Sequence, residues 1–261
     1  MKKVTWYAIG AVLTLWVLAP VVILGLSTLV PTADVSLWPK PMIPKRLSFE
    51  AVQQLLEVFG LWRSVTNSII VAISTVVLSL VIGLPAGYAL ARFHFRGKTV
   101  YQVLIMMARM FPMAVLAVPL AVFFLRAGTY DTVWSVTIVH TVLSLPLVVL
   151  ITSSVFAGVH VEVEEAAVTF GCPRWKAFFL ITLPMSLPGI AAASIFTFLT
   201  SWNEVFAATI LTLRQRTLPA FFIATLSEAP LHLRYAGGLL LLIPAVIFLV
   251  AARRYLFRAW T

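Results

Sequence analysis

The sequence predicts an all-helical membrane protein that crosses the bilayer six times. Its residues are 61% hydrophobic and 11% charged, whereas about a quarter of the residues of a soluble domain are charged. The mean hydropathy is +1.03. Apolar runs of about 20 residues recur, and a helix of that length crosses about 30 Å of hydrocarbon. Helices are expected because backbone polar groups in lipid must be satisfied within each segment.

The first predicted span covers residues 5–29 and follows the cations Lys2 and Lys3. Its apolar run is longer than the 7–15 residues or so of a signal peptide, so we interpret it as a retained helix with its amino end in the cytoplasm. The proline-rich connection over residues 30–63 is too polar to span. It contains a predicted short surface helix over residues 49–59.

The second and third predicted spans cover residues 64–91 and 99–125 and are joined by the basic turn 92–98. Gly83 and Gly87 give the second span the small-xxx-small pattern that allows two helices to approach closely. We therefore expect this face to pack against another helix rather than to contact a solute.

The remaining predicted spans cover residues 132–156, 187–211 and 236–257, and the polar segment 157–186 separates the first two of these. Six spans place both termini on one side. Lys and Arg are denser in the shorter loops on that side, which predicts a cytoplasmic location for the termini by the positive-inside rule.

Charge and motifs exclude several classes of function. The net charge of +10 is scattered at the ends of apolar runs, so no clustered patch predicts nucleic-acid binding. Cys172 is the single cysteine and can form no intrachain disulfide. The segment 96–99 resembles the tail of a phosphate-binding loop, but Arg92 stands where its first glycine is required. With no zinc-binding or serine-nucleophile motif, we expect no catalytic residue, metal or cofactor on this chain.

The segment 157–186 carries charges and a helix break between two apolar runs. Glu162, Glu164 and Glu165 are expected in the first turn of a helix, where carboxylates face the positive end of the helix dipole. Gly171 supplies a corner, and Pro173 suits the start of a second helix. The sequence therefore predicts a helix-turn-helix outside the bilayer.

An aromatic stripe marks the second helix of this segment. Trp175, Phe178 and Phe179 are spaced i, i+3 and i+4, so they are expected on a single face. Two interpretations fit these residues equally well. The segment is either an amphipathic helix on the membrane surface without a partner or a knob that fits a groove on a soluble protein.

The spacing within this segment resembles the EAA signature of permease subunits of ABC importers. Glu165, Ala166 and Ala167 are followed after three residues by Gly171, and after nine more by the segment 181–184, Ile-Thr-Leu-Pro. Further segments resemble the MalG-like carbohydrate branch of that family, and the likeness runs from about Asn67 to the end of the chain. They are residues 86–93, 96–98, 110–112 and 201–204. One departure is Phe170, where the family commonly has Asp.

This resemblance implies the fold of a type I ABC importer permease, and with it a multi-pass subunit of a prokaryotic cytoplasmic membrane. Segment 157–186 would then be the coupling helix that docks into a cytoplasmic ATPase. Glu165 and Gly171 carry over to motif positions, and we add three aromatic residues as anchors because buried aromatics commonly dominate such contacts. The predicted coupling residues are Glu164, Glu165, Ala166, Ala167, Gly171, Trp175, Phe178 and Phe179.

The resemblance also implies a set of partners and a solute class. The partners would be a second, MalF-like permease, two MalK-like ATPase subunits that carry ATP and Mg, and an extracytoplasmic solute-binding protein. The solute would be a sugar, such as maltose or trehalose, moved by alternating access. A polyol or glycerol phosphate is an alternative. A self-contained secondary transporter would require inverted repeats or paired broken helices, which the sequence does not show.

Polar residues inside the spans are candidates for the translocation pathway, because a charge at membrane depth costs about 2.5–3.5 kcal/mol on insertion scales. Glu204 and His140 are expected at a similar depth, about 10 Å from the outer end of their spans. With Asn203 they would line or gate the path. The alternative is a structural hydrogen bond between helices without solute contact.

Arg109 and Met110 are weaker pathway candidates in the third predicted span. Arg109 lies nearer the cytoplasmic half, so a direct pair with Glu204 is not expected. The neighbouring Pro112 suggests packing around a kink as the alternative role of this segment.

Overall fold

The computed structural model describes residues 2–35, 46–58 and 60–257, and this part of the chain is helical without any strand. The helices are α1 (Lys2–Thr28), α2 (Glu50–Glu57), α3 (Leu61–Arg92), α4 (Lys98–Ala108), α5 (Met113–Arg126), α6 (Val133–Ala157), α7 (Val161–Thr169), α8 (Arg174–Met185), α9 (Leu187–Asn203), α10 (Phe206–Leu211), α11 (Leu218–Phe221) and α12 (Leu231–Phe257). Two π-helical segments occur, Phe178–Thr182 within α8 and Phe222–Leu226 after α11.

Four helices of the described part are long and apolar enough to cross a membrane, namely α1, α3, α6 and α12. The pair α8 and α9, bent by 74° at Ser186, gives a fifth candidate if it is counted as one span. These findings confirm the all-helical membrane class. The sixth span stays a prediction, since α5 is too short by itself.

The third predicted span, over 99–125, is divided into two helices at Pro112, where the sequence suggested a kink. α4 ends at Ala108, and α5 begins at Met113 after an extended Pro112 with φ −62° and ψ 126°. Proline lacks a backbone N–H and disfavours helical geometry in the residue before it, so the helix stops ahead of Pro112. Arg109 and Met110 therefore lie in a break rather than inside a helix.

The fifth predicted span, over 187–211, is also interrupted. α9 ends at Asn203, and Glu204 is extended with ψ 122° before α10 begins at Phe206. The Glu204 carboxylate accepts hydrogen bonds from the backbone N–H groups of Ala207 (2.9 Å) and Ala208 (3.2 Å). A side chain that competes for helix N–H groups in this way favours a new helix start over continuation.

The other helix ends deviate less from the prediction. α12 begins at Leu231, five residues before the predicted 236. The N–H groups of Leu233 and Arg234 donate to the Pro230 carbonyl, so the polar residues after Pro230 belong to the first turn of the helix. The surface helix expected over 49–59 is α2, Glu50–Glu57. Glu50 accepts a hydrogen bond from the hydroxyl of Thr32 at 2.8 Å, which ties α2 to the end of α1.

The chain divides into two compact units, whose boundaries fall inside α3, just before α11 and inside α12. The terminal unit comprises Met1–Ser64 and Leu218–Pro244, and the central unit comprises Val65–Thr217 and Ala245–Thr261. In the terminal unit Gly237 approaches Leu226 and Phe222 so closely that a Cβ would lie 2.8–3.0 Å from their side chains.

Within the central unit, α6 packs against α4, α9 and α10. It also meets α3 along the predicted glycine face. A Cβ on Gly83 would lie 2.6 Å from Val148, and one on Gly87 would lie 2.0 Å from the Thr152 hydroxyl. Close packing of this face is thus confirmed.

Candidate functional site

The helix-turn-helix predicted between two apolar runs is present as α7, a turn, and α8. Glu162 and Glu164 occupy the first turn of α7, as expected from the helix dipole. Gly171 has φ +87°, a left-handed conformation that favours glycine. The Cys172 N–H donates to the Ala167 carbonyl at 3.0 Å and closes the end of α7. The corner is therefore defined by Gly171.

Glu164 points into the central unit, where hydrogen bonds from two other helices converge on it. From α3, Arg92 donates through Nε to Oε1 at 3.0 Å and through Nη2 to the same oxygen, while the Tyr88 hydroxyl donates to Oε2 at 2.8 Å. From α8, the Thr182 hydroxyl donates to Oε1. Arg92 Nη2 also donates to the Val159 carbonyl at 3.1 Å, just before α7. We call these four side chains, Tyr88, Arg92, Glu164 and Thr182, the clasp.

The clasp is shielded from solvent. The Arg92 and Glu164 side chains are 9% and 10% exposed. The Tyr88 ring contacts Phe178 and Phe156 edge to face at centroid distances of 4.7 and 5.8 Å. Burial raises the pKa of Glu164, but the hydrogen bonds from the other three clasp residues outweigh it and hold that pKa below its ordinary value.

The predicted coupling residues thus separate into two sets. Glu165, Ala166, Trp175 and Phe179 are exposed, with Trp175 63% and Phe179 57% accessible. Glu164 is buried, Ala167 is half-buried, and Phe178 packs on Tyr88 and Phe156.

The single stripe predicted for the three aromatics was therefore wrong. Phe178 and Phe179 are adjacent and therefore lie about 100° apart around the helix. Phe178 packs inward on Tyr88 and Phe156, while Trp175 and Phe179 stay outside. Glu164 does not lie on the surface where it could dock, because its carboxylate oxygens accept hydrogen bonds inside the central unit.

A second polar cluster lies within the central unit at the break after α9. His140 Nε2 is 3.0 Å from Glu204 Oε2, and His140 Nδ1 is 2.9 Å from the Ser201 hydroxyl. Ser201 in turn donates to Thr75 on α3 at 3.5 Å. His140 is 1% exposed and Glu204 15%. The two residues predicted at similar depth are therefore in contact through a hydrogen bond between two helix segments.

Asn203 faces away from this cluster. Its Nδ2 donates to the Leu199 carbonyl of its own helix at 2.9 Å, and the residue is exposed. Asn203 and Glu204 line an open depression of about 330 Å³ together with Phe196, Leu199 and Thr200. Arg109 and Met110 do not join this depression; both are exposed at the break between α4 and α5.

A third cluster holds the loop after α10. Asp131, just before α6, has φ 58° and accepts through Oδ1 the backbone N–H groups of Leu213 (2.8 Å), Arg214 (2.9 Å) and Gln215 (3.0 Å). Burial raises the pKa of Asp131, and these hydrogen bonds outweigh it and lower that pKa below 3.8. No local sequence pattern predicts this contact, because the partners of Asp131 are more than 80 residues away.

The residues that complete the clasp were not singled out from the sequence either. Arg92 ends an apolar run and was interpreted as a cation that marks orientation, and Tyr88 precedes it by one turn. The signal that could have found them is the doubled carboxylate Glu164 and Glu165. Adjacent residues on a helix lie about 100° apart, so the two carboxylates face different surroundings and are not expected to share one role.

Comparison with known proteins decides the family. Residues 79–261 match the family described as "Binding-protein-dependent transport system inner membrane component". The chain belongs to this family. It is therefore the multi-pass inner-membrane permease component of an ABC importer, and the ATPase is a separate subunit. The family and the permease function expected from the EAA spacing are confirmed.

Curated relatives of the permease carry sugar-related names. The diacetylchitobiose uptake system permease protein DasC of Streptomyces coelicolor is 32% identical over 75% of this chain and 71% of its own length. The trehalose transport system permease protein SugB of Mycobacterium tuberculosis is 26% identical over 97% of this chain and 94% of its own.

Solved structures share the fold of the permease. A chain of a bacterial ABC transporter involved in the import of the acidic polysaccharide alginate aligns with a TM-score of 0.75 at 19% identity, over 97% of this chain and 96% of that chain. A chain of the MetNI methionine ABC transporter in an inward-facing conformation aligns with a TM-score of 0.64 at 18% identity, over 78% of this chain and 97% of that chain.

Proposed function

We propose that this permease is one half of a heterodimeric pore that imports a di- or oligosaccharide. The observation that carries the proposal is the exposed α7 and α8 corner in a member of the binding-protein-dependent family. The sugar class is supported by relatives named for diacetylchitobiose, trehalose and alpha-glucoside transport. The partners are a second permease, two ATPase subunits and an external solute-binding protein.

The outer surface of α7 and α8 docks into a groove of the ATPase subunit. Trp175 and Phe179 supply the apolar anchors, since large aromatic residues that are exposed on a free chain commonly become buried at such contacts. Glu165, Ala166 and Ala167 border them on α7, and Gly171 sets the angle between the two helices. This corner and both termini face the cytoplasm.

The depression at Asn203 borders the solute path. Its lining combines an aromatic ring, a hydroxyl, an amide and a carboxylate, which are the groups that stack on and hydrogen-bond to a sugar. Asn203 contacts the solute directly. Glu204 and His140 hold the break between α9 and α10 in place, because their polar atoms already bond to each other and to the backbone. Arg109 and Met110 act at the kink before α5 rather than in this depression.

The experiment that tests this function reconstitutes the permease in liposomes together with the second permease, the ATPase subunits and the binding protein of its transporter. Uptake of radiolabelled trehalose, maltose, diacetylchitobiose and glycerol phosphate is measured with and without ATP inside. We expect ATP-dependent uptake of at least one of the three disaccharides. Uptake of glycerol phosphate alone would contradict the sugar class, and uptake without ATP would contradict the importer function.

A further inference from the structure

We propose that the clasp is the positioning element through which movement of the docked corner reaches the membrane helix α3. The inference rests on the proposed function, because it assumes that the corner of α7 and α8 docks on the ATPase. It assigns a role to Tyr88, Arg92, Glu164 and Thr182 that is distinct from docking.

Three elements converge on one carboxylate. Glu164 belongs to α7, Arg92 and Tyr88 belong to the last two turns of α3, and Thr182 belongs to α8. The described hydrogen bonds that join α3 to α7 all end on Glu164. A displacement of α7 therefore acts on α3 at this point, while α8 moves with them through Thr182.

Arg92 holds two partners at the same time. Its Nε and Nη2 both reach Glu164 Oε1, and Nη2 also reaches the Val159 carbonyl two residues before α7. One rigid, planar guanidinium thus fixes both the entry to α7 and its first turn. A lysine has a single flexible ammonium group and cannot reproduce this geometry.

The Arg92–Glu164 pair of the clasp is buried with both of its charges paired. Both charged side chains are about nine-tenths buried, and a buried charge without its partner is strongly unfavourable. The rings of Tyr88, Phe156 and Phe178 pack around the pair. Separation of α7 from α3 is therefore unfavourable, so the two move together when the ATPase subunits close.

The test measures the number of solute molecules imported per ATP hydrolysed by the reconstituted complex. Glu164→Gln keeps the shape of the side chain and removes its charge. We expect this ratio to fall at least fivefold for Glu164→Gln and for Arg92→Gln, while the ATPase subunit still co-purifies. Arg92→Lys should restore part of the ratio. The matched control is Glu162→Gln, on the same helix but 81% exposed, which should keep the wild-type ratio.

The double variant Arg92→Gln, Glu164→Gln separates a coupled pair from two independent residues. If the clasp acts as a unit, the double variant is no worse than either single variant, because removal of both charges leaves none unpaired. Multiplicative losses would overturn the proposal. A wild-type ratio in Glu164→Gln, or loss of the ATPase subunit from that complex, would overturn it too.

These outcomes are distinct from failure of the proposed function. If the wild-type complex shows no ATP-dependent uptake, the proposed function fails and the clasp inference fails with it. If the wild-type complex is coupled and the clasp variants keep its ratio, the inference alone fails.

Discussion

At the scale of single residues, Glu164 and Glu165 show how a neighbour changes the role of a side chain. Both are carboxylates in the same turn of α7, but Glu165 is exposed and Glu164 receives hydrogen bonds from Tyr88, Arg92 and Thr182. An exposed carboxylate is free to meet a partner protein. A buried carboxylate with occupied oxygens instead fixes the elements around it.

Asn203 and Glu204 differ in the same way, because Asn203 is exposed and the Glu204 side chain is largely buried. We expect Glu204→Gln to lower the free energy of unfolding of the purified permease by about 1.5–3 kcal/mol, and with it the melting temperature. The substitution removes a charge-assisted hydrogen bond to His140 and weakens two hydrogen bonds from the backbone.

Asn203→Ala should leave the melting temperature unchanged and raise the sugar concentration for half-maximal uptake severalfold.

Thermal unfolding in detergent and uptake in liposomes measure the two effects separately. The matched control for Asn203→Ala is Ser194→Ala on the same helix, because the Ser194 hydroxyl likewise donates to a carbonyl within α9. An unchanged uptake curve in Asn203→Ala would contradict solute contact.

Asp131 combines a left-handed backbone with an anchoring carboxylate. Asp131→Asn keeps both an acceptor oxygen and tolerance of φ 58°, Asp131→Gly keeps only the tolerance, and Asp131→Ala keeps neither. We expect the rate of proteolysis in the loop after α10 to rise in that order. Each lost feature should reduce the stability of the folded loop by about 1–3 kcal/mol. Equal rates in the Gly and Ala variants would contradict the backbone contribution.

The pH dependence of this loop follows from the lowered pKa of Asp131. A lowered pKa in the folded state means that the stabilising contribution is complete above the ordinary value of 3.8 and is lost as the pH falls through the folded-state pKa. Proteolysis should therefore not change between pH 5 and pH 8, and should rise only in stronger acid. An acid-stable protease measures this, with Asp131→Gly as the pH-insensitive control.

At the scale of elements, Gly171 defines the corner between α7 and α8. A Cβ on Gly171 meets no atom within 4 Å, so the cost of a substitution comes from φ +87° alone. Gly171→Val should destabilise this conformation of the corner by about 1–2 kcal/mol or more. It should uncouple ATP hydrolysis from transport while the helices still insert into the membrane. Gly171→Asn, which tolerates a left-handed backbone, should retain most of the coupling. Intact coupled transport by the Val variant would count against a role of this corner in coupling.

Gly87 differs from Gly171, because its backbone is regular helix and neighbouring atoms fill the space that a side chain would need. A Cβ there would lie 2.0 Å from the Thr152 hydroxyl and 3.0 Å from the backbone of Ser153. We expect Gly87→Leu to separate α3 from α6 and to destabilise the permease by about 1–3 kcal/mol. Gly25→Ala, on α1 with no atom within 4 Å, is the control. Thermal unfolding measures both, and equal melting temperatures would contradict tight packing at Gly87.

At the scale of the whole molecule, the permease depends on other chains for energy. Purified alone in liposomes, it should neither hydrolyse ATP nor import sugar, because its family places the ATPase on a separate subunit. Addition of the ATPase, the second permease and the binding protein should confer both activities. Sugar uptake by the purified chain alone would show that it works as a secondary transporter.

The amino-acid sequence by itself determined the membrane class, the positions of the long helices and the family. Those features follow from local properties: the length of apolar runs, the glycine face at Gly83 and Gly87, and the fixed spacing from Glu165 to Gly171. Hydropathy did not reveal the breaks at Pro112 and Glu204, because the average over 20 residues stays apolar when one residue interrupts the helix.

Only the tertiary structure decided which polar residues meet. Arg92 and Glu164 are 72 residues apart, His140 and Glu204 are 64 apart, and Asp131 and Leu213 are 82 apart. Phe178 packs inward because Tyr88 of α3 and Phe156 of α6 meet that side of α8, and spacing along the chain does not show those contacts. A side chain's direction depends on helix packing across such separations, whereas spacing along the chain specifies only which side chains share a face of one regular helix.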